Sequence, residues 1–311
     1  MKEPQEITFL SSDGQTTVKA SIWTPAERRV RGVVQICHGM VEHIRRYDEF
    51  AEELCARGFA VCGDDHLGHG RTAGKPENMG FFGEKDGWKH LVDDEERMRR
   101  EMQSRYPGLP YFLLGHSMGS FITRSYVTQY AQGLSGYICC GTSGPNPLNG
   151  FGILLSKLMV RFQGGRRRGD FLNKVAFKEY NSRYEDVKTG HEWLSRDPDS
   201  YAGVDDDPAT SFVFTNAGFR DLFQLLYSVT GKKWSEKIPK DLPIIFLSGD
   251  MDPVGQFGKG VRKVYELVKA SGVKDVSLKL YPGARHELHH ETNKDEFLAD
   301  VVNWMEQHMS G

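Results

Sequence analysis

The chain has 311 residues, of which 39% are hydrophobic and 26% charged, and carries a net charge of −2. This describes a globular protein with a real core, long enough for one large α/β domain with an insertion or for two ordinary domains, and gives no reason to expect nucleic acid as a partner. The five cysteines (Cys37, Cys55, Cys62, Cys139, Cys140) are odd in number and mostly end apolar runs, which predicts buried free thiols in a reducing compartment rather than a disulfide framework or metal site. Met1–Glu6 lacks the apolar core of a signal peptide, and no stretch is long enough to span a bilayer, so a cytoplasmic protein is expected.

In chain order, Ile7–Leu10 and Val18–Trp23 flank the turn signal Ser12-Asp13-Gly14-Gln15 and predict a hairpin. Gly32–Cys37 is a short apolar run suited to a buried strand. Tyr47–Arg57 has helical spacing, with Tyr47, Phe50, Ala51 and Leu54 on one face and Gly58 as its stop. Phe59–Cys62 predicts the next strand, Leu91–Tyr106 a charged amphipathic helix ended by Pro107-Gly108, and Tyr111–Leu114 another strand. A helix from Ser117 to about Tyr130 and a strand at Gly136–Cys140 follow. After a break in rhythm the pattern resumes with a strand at Pro243–Ser248, a helix at Val261–Ala270, a strand at Val276–Tyr281 and a closing helix at Asp295–His308. Strands alternating with helices predict a mainly parallel, doubly wound sheet, with the leading hairpin antiparallel at one edge.

Residues 145–240 depart from this rhythm, and the expected division is a core of 1–144 and 241–311 with a cap, or lid, between. Phe151–Val160 and Phe219–Tyr227 are its apolar helical candidates. Inserted between two core strands, the segment would sit over the carboxyl ends of the strands, where open α/β sheets bind ligands. The basic run Arg166-Arg167-Arg168 reads as a solvated loop.

The chemistry centres on Gly115-His116-Ser117-Met118-Gly119. An apolar strand, Gly-x-Ser-x-Gly and a helix form the pattern of a nucleophile elbow, in which a sharp turn lifts the serine above the end of a strand. Serine needs a base and a carboxylate to orient that base. In such folds they follow in the order acid, then histidine, on loops after late strands. Asp252, in Gly249-Asp250-Met251-Asp252-Pro253-Val254, and His286, in Pro282-Gly283-Ala284-Arg285-His286-Glu287-Leu288, stand there. Asp250 is the rival acid and is expected to form a turn; His289 and His290 are the rival bases. The backbone N–H groups of Met118 and of Met40, in the loop Cys37-His38-Gly39-Met40, are the expected oxyanion donors. His38 is expected to be a structural hydrogen bonder.

These segments, with His38-Gly39-Met40-Val41-Glu42-His43 and Asp65-His66-Leu67-Gly68-His69-Gly70-Arg71-Thr72, span residues 38 to 287. Through them the chain resembles the α/β-hydrolase superfamily, in particular its monoacylglycerol lipase, lysophospholipase and serine-aminopeptidase-like branch. The resemblance implies an eight-stranded, mostly parallel sheet flanked by helices, a helical cap after the sixth strand, and a triad of Ser117, Asp252 and His286. It also implies no metal or organic cofactor.

The function expected is hydrolysis of carboxylic esters of acyl lipids, of monoacylglycerol or lysophospholipid type, through an acyl-enzyme on Ser117. Phe151, Leu154, Leu155 and Leu158 are candidate acyl-chain contacts, and the cap, with Lys157, Arg161 and Arg166–Arg168, a candidate for transient contact with a membrane surface. The alternatives are an aminopeptidase or amidase, for which Asp205-Asp206-Asp207 and Glu185-Asp186 could receive an α-amino group, and a non-catalytic binding protein of the same fold.

Overall fold

The computed structural model describes residues 3–146, 149–185 and 187–309. Its strands are β1 (Gln5–Leu10), β2 (Thr17–Trp23), β3 (Gly32–Cys37), β4 (Phe59–Asp65), β5 (Tyr111–His116), β6 (Gly136–Cys140), β7 (Ile244–Gly249) and β8 (Val276–Tyr281). They form one sheet in the order β1-β2-β4-β3-β5-β6-β7-β8. β1 and β2 pair antiparallel, as do β2 and β4, and every other pair is parallel. β3 to β7 are buried along their whole length, as expected of apolar strands covered on both faces, whereas the outermost β1 and β8 are partly open.

Among the described residues ten α-helices accompany the sheet: α1 (Asp48–Ala56), α2 (Gly70–Ala73), α3 (Gly87–Arg105), α4 (Met118–Tyr130), α5 (Asn149–Gln163), α6 (Asp170–Phe177), α7 (Asn216–Ser228), α8 (Lys232–Ser235), α9 (Lys259–Ala270) and α10 (Lys294–Gln307). Alternate strand residues feed opposite cores, as the two-residue period requires. Leu113, Tyr137, Cys139 and Phe246 pack with residues of α3, α4, α7 and α9. Phe112, Leu114, Ile138 and Leu247 pack with residues of α1 and α10. All five cysteines are free and buried.

The structure extends several predicted elements. β4 continues past Cys62 through Gly63-Asp64-Asp65, whose carboxylates are buried rather than solvated. The third helix begins at Gly87, one turn before Leu91. α2, α6 and α8 are too short for their periodicity to stand out. The segment between β6 and β7 carries α5 to α8, and its Phe214, Phe219, Leu222, Leu225 and Trp234 join the same apolar cluster as Leu113 and Phe246. Pro147, Leu148 and Asp186 lie outside the described residues.

The sheet order fixes where a ligand can sit. From β3 the chain moves to β4 on one side and then returns to β5 on the other. The loops leaving the carboxyl ends of β3 and β5 therefore part company at this switch point and open a crevice. They carry His38-Gly39-Met40 and Ser117.

Candidate active site

Ser117 stands between β5 and α4 with φ 53° and ψ −120°, a strained conformation for a non-glycine residue. The flanking glycines make the turn possible by close approach. A Cβ on Gly119 would lie 2.0 Å from the Cys37 carbonyl oxygen, and one on Gly115 2.1 Å from Thr123 Oγ1. The elbow is thus wedged between β3 and its own helix, with the Ser117 N–H bonded to the Cys140 carbonyl on β6 at 3.1 Å.

Asp252 and His286 come from the loops after β7 and β8. Asp252 Oδ2 lies 3.0 Å from His286 Nδ1, although the ring N–H points off the line between them. Catalytic hydrogen bonds are often poorly aligned until substrate binds. Asp252 Oδ1 accepts the Val254 N–H at 2.8 Å, which fixes the carboxylate. Asp250 forms a turn contact instead, accepting the Gly283 N–H at 2.7 Å and tying the acid loop to the histidine loop. His286 and the elbow meet through His116, whose ring lies 4.7 Å from that of His286 and whose Nε2 is 3.2 Å from the His286 carbonyl oxygen. Gly141 leaves room for both: a Cβ there would meet each ring at 3.2 Å.

The loop after β3 crosses directly over the serine, since a Cβ on Gly39 would come within 3.0 Å of Ser117 Cβ. Met118 opens α4, so its N–H has no intrahelical acceptor. Among the described residues, neither Met40 nor Met118 spends its amide on a turn or loop hydrogen bond. His38 is structural. Its Nε2 accepts the His66 N–H at 3.1 Å, so its Nδ1–H donates to the Gly39 carbonyl at 2.8 Å, and burial keeps the ring neutral, well below the usual imidazole range.

A buried ionic network, to which sequence reasoning gave no role, surrounds this centre. Glu42 accepts bonds from the Gly39 N–H and Tyr47 hydroxyl and pairs with Arg46, which grips Glu287 with both arms at 2.6 and 2.8 Å. Burial works against the Glu42 charge, but His116 and Arg46 hold its carboxyl well below the usual range. Burial likewise opposes charge on His116, and the Glu42 carboxylate more than compensates, raising that ring above its ordinary value. Glu42 and Glu287 stand within the segments that carry the resemblance, but no pattern in the sequence links the two; Gly39, three residues before Glu42, was the available hint of a tight turn there.

From the segment between β6 and β7, Trp193 packs its ring 5.0 Å from His286 and 4.9 Å from Tyr180. Arg285, beside His286, donates to the Ser195 carbonyl at 3.1 Å. Phe151, Leu154 and Leu158 lie on an outer face of α5, at 64%, 57% and 45% exposure, while Leu155 turns inward against the core. Arg168 is tied to the Val213 and Pro76 carbonyls rather than simply solvated. Asp205 and Asp207 pair with His191 and His43, Glu185 is exposed, and Asp186 lies outside the described residues.

Cys37, His66 and Glu95 bring three potential metal donors within 4.8 Å of one another. All are buried and already bonded: the thiol donates to Glu95 at 3.3 Å, and Gln35 donates to the other Glu95 oxygen at 2.6 Å. This arrangement accounts for each group as a polar brace beneath the sheet.

Residues 28–293 match the family model described as serine aminopeptidase, S33. The chain belongs to this family of α/β-hydrolases. It is 30% identical over 283 residues to a monoglyceride lipase homolog of Monkeypox virus, covering 88% of this chain and 89% of that protein. It is 28% identical to the monoacylglycerol lipase of Mycolicibacterium smegmatis over 95% of each. A solved structure of a thermostable carboxyl esterase from Bacillus coagulans, in complex with glycerol, superposes with a TM-score of 0.92 at 36% identity, covering 99% of this chain and 100% of that one. The kinship thus lies with the monoacylglycerol lipase branch. No helix among the described residues is long and apolar enough to cross a membrane.

Proposed function

We propose that this S33-family chain is a serine hydrolase that cleaves carboxylic esters of acyl lipids, of monoacylglycerol or lysophospholipid type. The observations that support the reading are the strained Ser117 at the switch point and the buried His286–Asp252 pair, whose imidazole lies 4.7 Å from that of His116, the residue before the serine. The lipase and esterase relatives support an ester as substrate over an amide.

His286 takes the Ser117 proton as the hydroxyl oxygen attacks the ester carbonyl. The tetrahedral oxyanion rests on the Met40 and Met118 N–H groups. Asp252 holds the imidazole and offsets its charge, and His286 then delivers the proton to the departing alcohol. Water enters, His286 activates it, and the acid leaves from Ser117.

Residues 145–240 act in this reading as the cap, with Trp193 as part of the wall beside the base. The exposed face of α5, with Lys157 and Arg161 nearby, makes reversible contact with lipid surfaces. A panel of p-nitrophenyl esters, 1-monoacylglycerols, lysophospholipids and aminoacyl-naphthylamides tests the substrate class. Turnover of the lipid esters is expected, and turnover confined to aminoacyl substrates would reject the reading in favour of a peptidase.

A further inference from the structure

Resting on the serine-hydrolase reading, a single carboxylate outside the triad bonds the turn after β3, lies beside the elbow, and reaches the His286 loop through Arg46. Glu42 is 3% exposed. Its Oε1 accepts the Gly39 N–H, so it closes the turn that carries the Met40 amide, and it also accepts the Tyr47 hydroxyl at 3.1 Å. The same oxygen is 3.5 Å from Nδ1 of His116, the residue before Ser117. Its other oxygen pairs with Arg46 at 3.2 Å, and Arg46 holds Glu287, the residue after His286. We propose that Glu42 is a positioning residue of this site: its carboxylate holds the Gly39–Met40 turn over the serine and, through Arg46 and Glu287, keeps the His286 loop in register with it.

The backbone between Met40 and Glu42 shows why a clamp is required. Val41 has φ 57°, a left-handed conformation that a β-branched residue adopts only when its surroundings enforce it. The bond from the Gly39 N–H back to the Glu42 side chain spans this residue and enforces the turn. An ionised acceptor in a buried site makes that bond stronger than a neutral one. A side chain on Gly39 would displace the carboxylate, because its Cβ would lie 2.6 Å from Glu42 Oε1. The carboxylate and the glycine therefore fit as a pair. The second limb is equally direct. His116 Nε2–H reaches the His286 carbonyl at 3.2 Å while its Nδ1 lies 3.0 Å from the Tyr47 hydroxyl oxygen, so the elbow, the Gly39–Met40 turn and the histidine loop share one set of bonds.

The alternative role is global stability alone, and a split between kcat and KM separates the two. Glu42→Gln keeps the size and one acceptor oxygen but turns an amide NH2 toward Arg46 or Tyr47. Hydrolysis of p-nitrophenyl butyrate is measured per active site, with sites counted by saturating fluorophosphonate labelling. The expected result is a fall in kcat of about 30- to 300-fold with KM within about threefold of wild type, on the scale of one lost oxyanion donor. Labelling is expected to reach full stoichiometry more slowly. Turnover per labelled site within about threefold of wild type would overturn the proposal. Should Glu42→Gln fail to fold, Tyr47→Phe removes one bond to the same carboxylate and keeps the ring. A kcat loss of about 3- to 10-fold is then expected, and an unchanged kcat overturns the proposal. Wild-type protein that does not label removes the serine-hydrolase reading itself, which distinguishes that failure from failure of the clamp.

Discussion

His286 Nδ1 lies 3.0 Å from Asp252 Oδ2, and the two side chains are 2% and 0% exposed. A carboxylate so placed selects the imidazole tautomer whose Nε2 is free to take a proton, and stabilises the imidazolium that forms. Asp252→Asn preserves shape but can present an N–H where an acceptor is needed. It is expected to lower kcat on the order of 10³- to 10⁴-fold while leaving the thermal midpoint within a few degrees. Steady-state kinetics with a p-nitrophenyl ester and a melting curve check both.

A Cβ on Gly39 would lie 3.0 Å from Ser117 Cβ and 2.6 Å from Glu42 Oε1, so a side chain there must displace the turn. Gly39→Ala is expected to push the Gly39–Met40 turn off the elbow, and, on the proposed oxyanion role of Met40, to lower kcat about 100-fold or more. A variant with wild-type kcat would show that the turn can shift without consequence.

The outer face of α5 predicts a split between substrates in solution and substrates in a bilayer. Leu154 and Leu158 are largely exposed, so replacing both with serine is expected to change stability by less than about 1 kcal/mol. If they enter a lipid surface, the lost burial weakens vesicle contact by about 2 kcal/mol, or about 30-fold. Hydrolysis of 1-monoacylglycerol in vesicles should then fall while that of a short soluble ester is unchanged. Equal rates on both substrates would remove the membrane contact from the proposal.

Asp94 gives a pH dependence of stability. Burial pushes its carboxyl up to about 7, against the bonds from Ser11 and the Ser12 N–H that favour its charge. The folded chain therefore holds this proton more tightly than the unfolded one, and Asp94 destabilises the fold increasingly as pH rises from about 4 to 7. Asp94→Asn should gain on wild type over that window, by a few kcal/mol at most. Denaturant unfolding at pH 5 and pH 8 measures the difference; an advantage that shrinks toward pH 8 would contradict the assignment.

Much of the architecture was legible because its signals are local. Gly32–Cys37, Tyr111–Leu114 and Pro243–Ser248 are short, largely apolar runs, as strands covered on both faces require. Asp252 and His286 could be located by position after such runs. What was not legible depends on burial of charge. Asp64 and Asp65 lie past the predicted strand end at Cys62 but within β4, and Glu42, Arg46 and Glu287 form one internal network. Charged side chains carry no sequence mark of whether they face water or one another. Trp193 escaped notice because a segment without regular periodicity gives no clue to what its aromatic residue will touch.

The central claim is that Ser117 is the nucleophile. Intact-mass and peptide mass spectrometry of the protein treated with a fluorophosphonate tests it most directly. One adduct per chain, located on the peptide containing Ser117, absent from Ser117→Ala and accompanied by loss of ester hydrolysis, is expected. No adduct on the wild type, or equal labelling and turnover in Ser117→Ala, would contradict it.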